Sequence, residues 1–174
     1  MVVALILMAL QMRSPVSPSI ATGLLGSWVG TLEYRDYSDN SRQKIATLLR
    51  IYADKEGRGL IFRYVYDDGP TKVIQDQDLV SVDEQKALYS ISSPDGKSGS
   101  DYTVTGLKDL HPDGTGTLIL LGKGTENNAA VDVREKLQIQ RNRFTILRES
   151  KLPGQSFLFR HEYDFVRVSA PQAK

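Results

Sequence analysis

Two histidines, no cysteine and eight tyrosines set the chemistry available to this chain of 174 residues. His161 is the more informative histidine. It sits in Phe157-Leu158-Phe159-Arg160-His161-Glu162-Tyr163-Asp164-Phe165, where every second residue is aromatic or imidazole. An inward imidazole in such a run can coordinate haem iron or transfer protons. The competing reading is a core histidine satisfied by a hydrogen bond, and that is the outcome expected here. His111, in His111-Pro112-Asp113-Gly114, reads as a solvent-exposed turn residue. Tyr34, Tyr52, Tyr64, Tyr66, Tyr89, Tyr102 and Tyr163 fall within or at the ends of strand-like runs. Phenols pointing inward give an apolar wall with a few hydrogen-bonding points, the usual lining of a small-molecule site. Aromatic preference for strands accounts for the same placement without a ligand. The candidate lining is Tyr64, Tyr66, Phe159, His161 and Tyr163.

Other chemistries are set aside. Without cysteine there is no disulfide, thiol nucleophile or thiolate metal site. Asp67-Asp68 and Asp76/Asp78 do not follow a calcium-loop spacing, and no metal site is expected. Asp76 and Asp78, two apart on a strand, share a face and would repel one another if buried, so a solvated outer face is expected for them. No Gly-x-Ser-x-Gly, His-Glu-x-x-His or phosphate-cradling loop occurs. Gly114–Gly124 surrounds a strand at Thr117–Leu121 and leads into no helix.

Met1–Leu10 is almost wholly apolar and uncharged, too short to cross a bilayer, and Pro15 and Pro18 follow it. With small residues at Ser19 and Ala21, this resembles a secretory signal peptide cleaved after Ala21, although no basic residue precedes the apolar run. The expected organisation is a signal peptide over 1–21 and one domain over 22–174. The expected location is periplasmic or secreted, with no membrane insertion after processing. Arg13 is the one charged side chain in 1–21, so the remaining 21 basic and 21 acidic residues balance. Their signs alternate along the chain without a basic face, which argues against a nucleic-acid partner.

The elements that must position these side chains are strands. Runs of β-branched and aromatic residues alternate with turn-forming clusters at Asp36–Arg42, Asp54–Gly59, Asp67–Pro70, Val82–Lys86, Pro94–Gly99, His111–Gly116, Gly122–Asn128, Gln140–Arg143 and Lys151–Gln155. These nine connections predict ten strands and no convincing helix in 22–174. Leu60, Phe62, Tyr64 and Tyr66 share one side of their run. Val131, Val133, Leu137 and Ile139 share another, opposite Asp132, Arg134, Lys136 and Gln138. Phe157, Phe159, His161, Tyr163 and Phe165 share a third, opposite Arg160, Glu162 and Asp164, provided the strand carries no bulge. Alternation with one polar face marks antiparallel strands covering a core on one side. Ten such strands joined by short turns predict an all-β, antiparallel up-and-down β-barrel, closed so that no edge stays exposed. A β-sandwich is the alternative architecture.

The stretch Gly26-Ser27-Trp28, opening the first strand, resembles the Gly-x-Trp signature of lipocalins and the wider calycin group. That resemblance implies that Trp28, the one tryptophan, closes a barrel end beneath an arginine of the last strand, Arg160 or Arg167. The second lipocalin signature, a Thr-Asp-Tyr turn, is absent. The longer Gly26-Ser27-Trp28-Val29-Gly30 is similar to the opening of the haem-binding nitrobindins, which implies haem as a conceivable cofactor.

Together these readings favour an exported calycin-like barrel binding a small, largely apolar molecule. An enzyme acting on a small organic acid, a haem-binding barrel and an interaction protein with a filled interior are the alternatives. Charged residues pointing into the barrel mouth would favour an enzyme, and a purely apolar cavity would favour binding.

Overall fold

The computed structural model describes residues 18–36 and 38–168. Its elements in order are α1 (Pro18–Leu24), β1 (Gly26–Arg35), β2 (Arg42–Ala53), β3 (Leu60–Asp67), β4 (Val73–Asp83), β5 (Leu88–Ser92), β6 (Gly99–Thr105), a 3-10 turn (Leu107–Asp109), β7 (Gly116–Glu126), β8 (Ala129–Ile139), β9 (Arg143–Lys151) and β10 (Leu158–Arg167). Each strand pairs antiparallel with its neighbour in sequence. β1 then pairs with β10, from Trp28 opposite Arg167 to Tyr34 opposite His161, closing the barrel. The ten-stranded up-and-down barrel expected from the alternation is the fold found.

The turns explain most boundaries, with one revision. The glycine-rich Gly122–Asn128 is not a loop: β7 continues to Glu126, and the reversal is confined to Asn127-Asn128, with φ of 48° and 62°. Two consecutive positive-φ residues form the tight turn whose twist matches a hairpin, and asparagine tolerates that region. Gly122 inside the strand has a packing reason, because a Cβ there would lie 2.6 Å from the Tyr102 ring.

One end of the barrel is packed solid. Leu49, Ile51, Phe62, Val82, Leu118, Leu120, Leu137, Ile139, Phe144 and Phe165 fill it, each essentially buried. α1, which the strand pattern did not foresee, sits against this floor and buries Ile20 and Leu24, one helical turn apart on the same face. The expected cleavage bond, Ala21–Thr22, lies inside α1; residues 1–17 and 169–174 lie outside the described residues.

The Gly-x-Trp stretch has a physical role at this floor. Trp28 is 1% exposed, and its Nε1 donates to the Leu24 carbonyl at 2.9 Å. The Arg167 guanidinium lies over the indole, 4.0 Å from the ring centroid, and donates to the carbonyls of Gly23, Leu25 and Arg141. Indole and guanidinium thereby occupy carbonyls that the end of α1 leaves without intrahelical partners. Gly26 has φ of 130°, and a Cβ there would lie 2.9 Å from Arg167, so the motif glycine supplies both the bend and the room for the guanidinium. Of the two arginines considered for this end, Arg167 is the partner; Arg160 lies at the opposite end.

Candidate functional site

Above the aromatic floor the barrel is not filled. A chamber of about 240 Å³ is bounded by residues of β3, β4, β5, β6, β8, β9 and β10. A second hollow of about 400 Å³, at the mouth, is bounded by Tyr34, Arg35, Asp36, Glu126 and Arg160. Arg148 and His161 line both spaces and stand between the mouth and the chamber.

One wall is aromatic. Tyr64 and Tyr66, two apart on β3, stack with centroids 5.8 Å apart and planes 6° apart. Tyr163 on β10 approaches Tyr64 to 5.4 Å, and its hydroxyl shares a 2.9 Å hydrogen bond with that of Tyr66. His161 meets Tyr163 edge to face at 5.4 Å. Burial pushes the phenols of Tyr64, Tyr66 and Tyr89 up, and that of Tyr163 up to about 12, so all four are neutral donors.

The other wall is charged. Glu135 on β8 is 5% exposed and accepts from Arg148 on β9, directly opposite, at 2.6 Å. Arg148 also donates to the Tyr102 hydroxyl at 3.2 Å. Burial pushes the Glu135 carboxyl up and the adjacent guanidinium opposes it. At the mouth, Arg160 pairs with Glu126 at 2.7 Å, and both contact the Ser150 hydroxyl.

Asp78 and His161 line the chamber without a hydrogen-bond partner or counter-ion among the described residues. Asp78 on β4 borders the chamber with neither a hydrogen-bond donor nor a counter-ion among the described residues. Burial first, then the charges of Asp76 and Glu135, pushes its carboxyl up to about 6. The solvated outer face expected for Asp78 is therefore incorrect: its place opposite Phe62 on β3 puts it on the inner side. Neither ring nitrogen of His161 takes a hydrogen bond from the described residues, and the ring lines both hollows. Burial, reinforced by Arg148, pulls this imidazole down to about 4, leaving it neutral. The hydrogen-bonded core histidine expected from the sequence is not what the fold builds, because His161 faces open space. His111 is the exposed turn residue expected.

Of the sequence-derived lining, Tyr64, Tyr66, His161 and Tyr163 come together and Phe159 does not. β10 carries a bulge between Phe159 and His161, where Arg148 and Glu149 of β9 face His161 and Phe159 respectively. The extra residue turns the alternation over. Phe159 goes to the outer surface beneath the Arg42 guanidinium, at 3.8 Å, and Phe157 lies beneath Arg134 at 4.2 Å. Arg160 points inward instead. Alternation alone placed Glu135 among Val131, Val133, Leu137 and Ile139, and that register was the available signal for it.

No family model and no curated protein matches the chain. Among solved structures it is similar to an S-type phycobiliprotein lyase from Guillardia theta, with a TM-score of 0.53 and 11% identity over 85% of this chain and 90% of that one. It is also similar to a DUF3598-family protein of unknown function from Nostoc punctiforme, with a TM-score of 0.52 and 16% identity over 89% of this chain and 51% of that one. These likenesses show a calycin-like barrel and no more than the fold.

Proposed function

We propose that this protein binds a small molecule within the barrel chamber. The observation that carries the reading is the pair of partnerless polar side chains, Asp78 and His161, aimed into a chamber beside an aromatic wall. Their polar atoms are open to the chamber rather than sealed in the core, so a molecule entering the chamber can meet them directly. At about 240 Å³ the chamber is just below the ~300–1,000 Å³ of drug-sized sites, which favours a compact ligand over a macrocycle such as haem. The lyase of similar fold acts on phycobiliproteins according to its name; its likeness supports an architecture able to hold a ligand.

A catalytic reading has one specific observation behind it, since Asp78 near 6 and a neutral His161 are groups able to exchange protons at physiological pH. Binding is the simpler account, because neither group has a second protein group positioning it for transfer. Export stays part of the proposal on the strength of Met1–Leu10 and the small residues Ser19 and Ala21.

Native mass spectrometry of protein purified from its own host tests the binding reading. A stoichiometric extra mass, absent from a Ser100→Trp variant whose indole fills the chamber, is the expected result. Identical spectra of ligand-free chain from both would count against it.

A further inference from the structure

The charges around the two hollows narrow the ligand, given the binding reading above on which this inference rests. At the mouth, Arg160 pairs with Glu126, Arg35 donates to the Asn40 amide oxygen, and Asp36 accepts from Ser38. Within the chamber, Arg148 is matched by Glu135 at 2.6 Å. Asp78 is left over, a carboxylate with no counter-ion among the described residues, in the chamber that Tyr64 and Tyr163 also line. An anionic ligand in the chamber would meet Arg148 already paired with Glu135, together with that free carboxylate. A neutral apolar ligand would leave the carboxylate without a partner. A monocation satisfies it, and tyrosine rings favour a cation by their quadrupoles.

We infer that the chamber takes a small, singly protonated organic amine, its ammonium donating to Asp78 and its hydrophobic body lying against Tyr64 and Tyr163. His161, neutral and without a protein partner, offers a second acceptor for an ammonium N–H. The hydroxyls of Tyr64 and Tyr89, which make no hydrogen bond among the described residues, are left to meet any acceptor on the ligand body.

Three nearly isosteric probes separate the possibilities: phenethylamine, 2-phenylethanol and 3-phenylpropionate. Each is titrated calorimetrically at about pH 7.5, where Asp78 is ionised. Phenethylamine is expected to bind about tenfold more tightly than 2-phenylethanol, with 3-phenylpropionate weakest. Asp78→Asn should lower phenethylamine affinity about tenfold and leave that for 2-phenylethanol unchanged, which a merely structural role of Asp78 would not do. If the alcohol or the carboxylate binds as tightly as the amine, or Asp78→Asn leaves the amine's Kd unchanged, the amine assignment is overturned while the binding reading stands. If none of the three binds, the amine assignment is overturned, and the native mass measurement decides the binding reading separately.

Discussion

Replacing Asp78 by asparagine keeps the shape of the side chain and removes its charge, so its effect on the empty protein reports what an unpartnered carboxylate costs. In the chamber the carboxyl is pushed from its ordinary 3.8 to about 6, mainly by burial and secondarily by Asp76 and Glu135. A displacement of that size is worth up to about 3 kcal/mol between the protonated and ionised forms. Solvent reaching the carboxyl through the mouth screens this to about 1.5 kcal/mol. The folded state holds the proton more tightly than the unfolded chain. The associated stability is therefore fully present below pH 3.8 and is lost as pH rises through about 6. Asp78→Asn should accordingly match the parent near pH 4 and exceed its stability by about 1.5 kcal/mol near pH 7.5, or roughly 3–6 °C in Tm. Urea unfolding followed by Trp28 fluorescence at the two pH values measures the difference, in which carboxylates that do not interact with Asp78 cancel. A variant less stable than the parent at the higher pH, or a difference that does not change with pH, would refute the reasoning. A stabilising substitution that also weakens amine binding would mark Asp78 as a group kept at a cost in stability for the sake of the site.

Four further outcomes are expected. Trp28→Ala should cost about 3–5 kcal/mol, because the indole is fully buried and holds both the Leu24 carbonyl and the Arg167 guanidinium; equilibrium unfolding monitored by circular dichroism checks it. Glu135→Leu alone should cost about 3 kcal/mol by leaving Arg148 unpaired, whereas Glu135→Leu with Arg148→Met should recover most of that loss in a double-mutant cycle. The His161 imidazole, pulled down to about 4, should stay neutral at about pH 5.5 in an NMR titration. Its contribution to stability is complete above the unfolded value of 6.5 and is lost as pH falls toward 4, so His161→Gln should flatten the profile across that window. A chain beginning at Thr22, the product of cleavage after Ala21, loses the buried Ile20 and should melt below one beginning at Pro18, by about 2 kcal/mol of stability.

The barrel was legible because its physics is local. Period-two runs such as Leu60 to Tyr66 and Val131 to Ile139 assign inner and outer faces, and turn residues between them fix ten strands. The Gly26-Ser27-Trp28 stretch pointed to the end where an arginine stacks, because glycine, indole and guanidinium are jointly required there. The site was only half legible. Tyr64, Tyr66, His161 and Tyr163 follow the alternation, but the bulge near Phe159 has no local signature and exchanges Phe159 for Arg160 on the inner face. Asp78 reads as solvated because Asp76 and Asp78 share a face and two buried carboxylates would repel. Its inner placement depends on the register of β4 against β3, which its own strand does not reveal. α1 escaped notice because seven residues give too short a pattern for a helical period, and its burial depends on a floor built by distant strands.

The chamber itself can be tested most directly by crystallography with 4-bromophenethylamine, using the anomalous signal of bromine to locate the ligand. The account predicts one dominant bromine peak inside the barrel, with the ring against Tyr64 and Tyr163 and the ammonium nitrogen within hydrogen-bond reach of Asp78. Saturating ligand that leaves the chamber holding water alone, with bromine only on the outer surface, would contradict it.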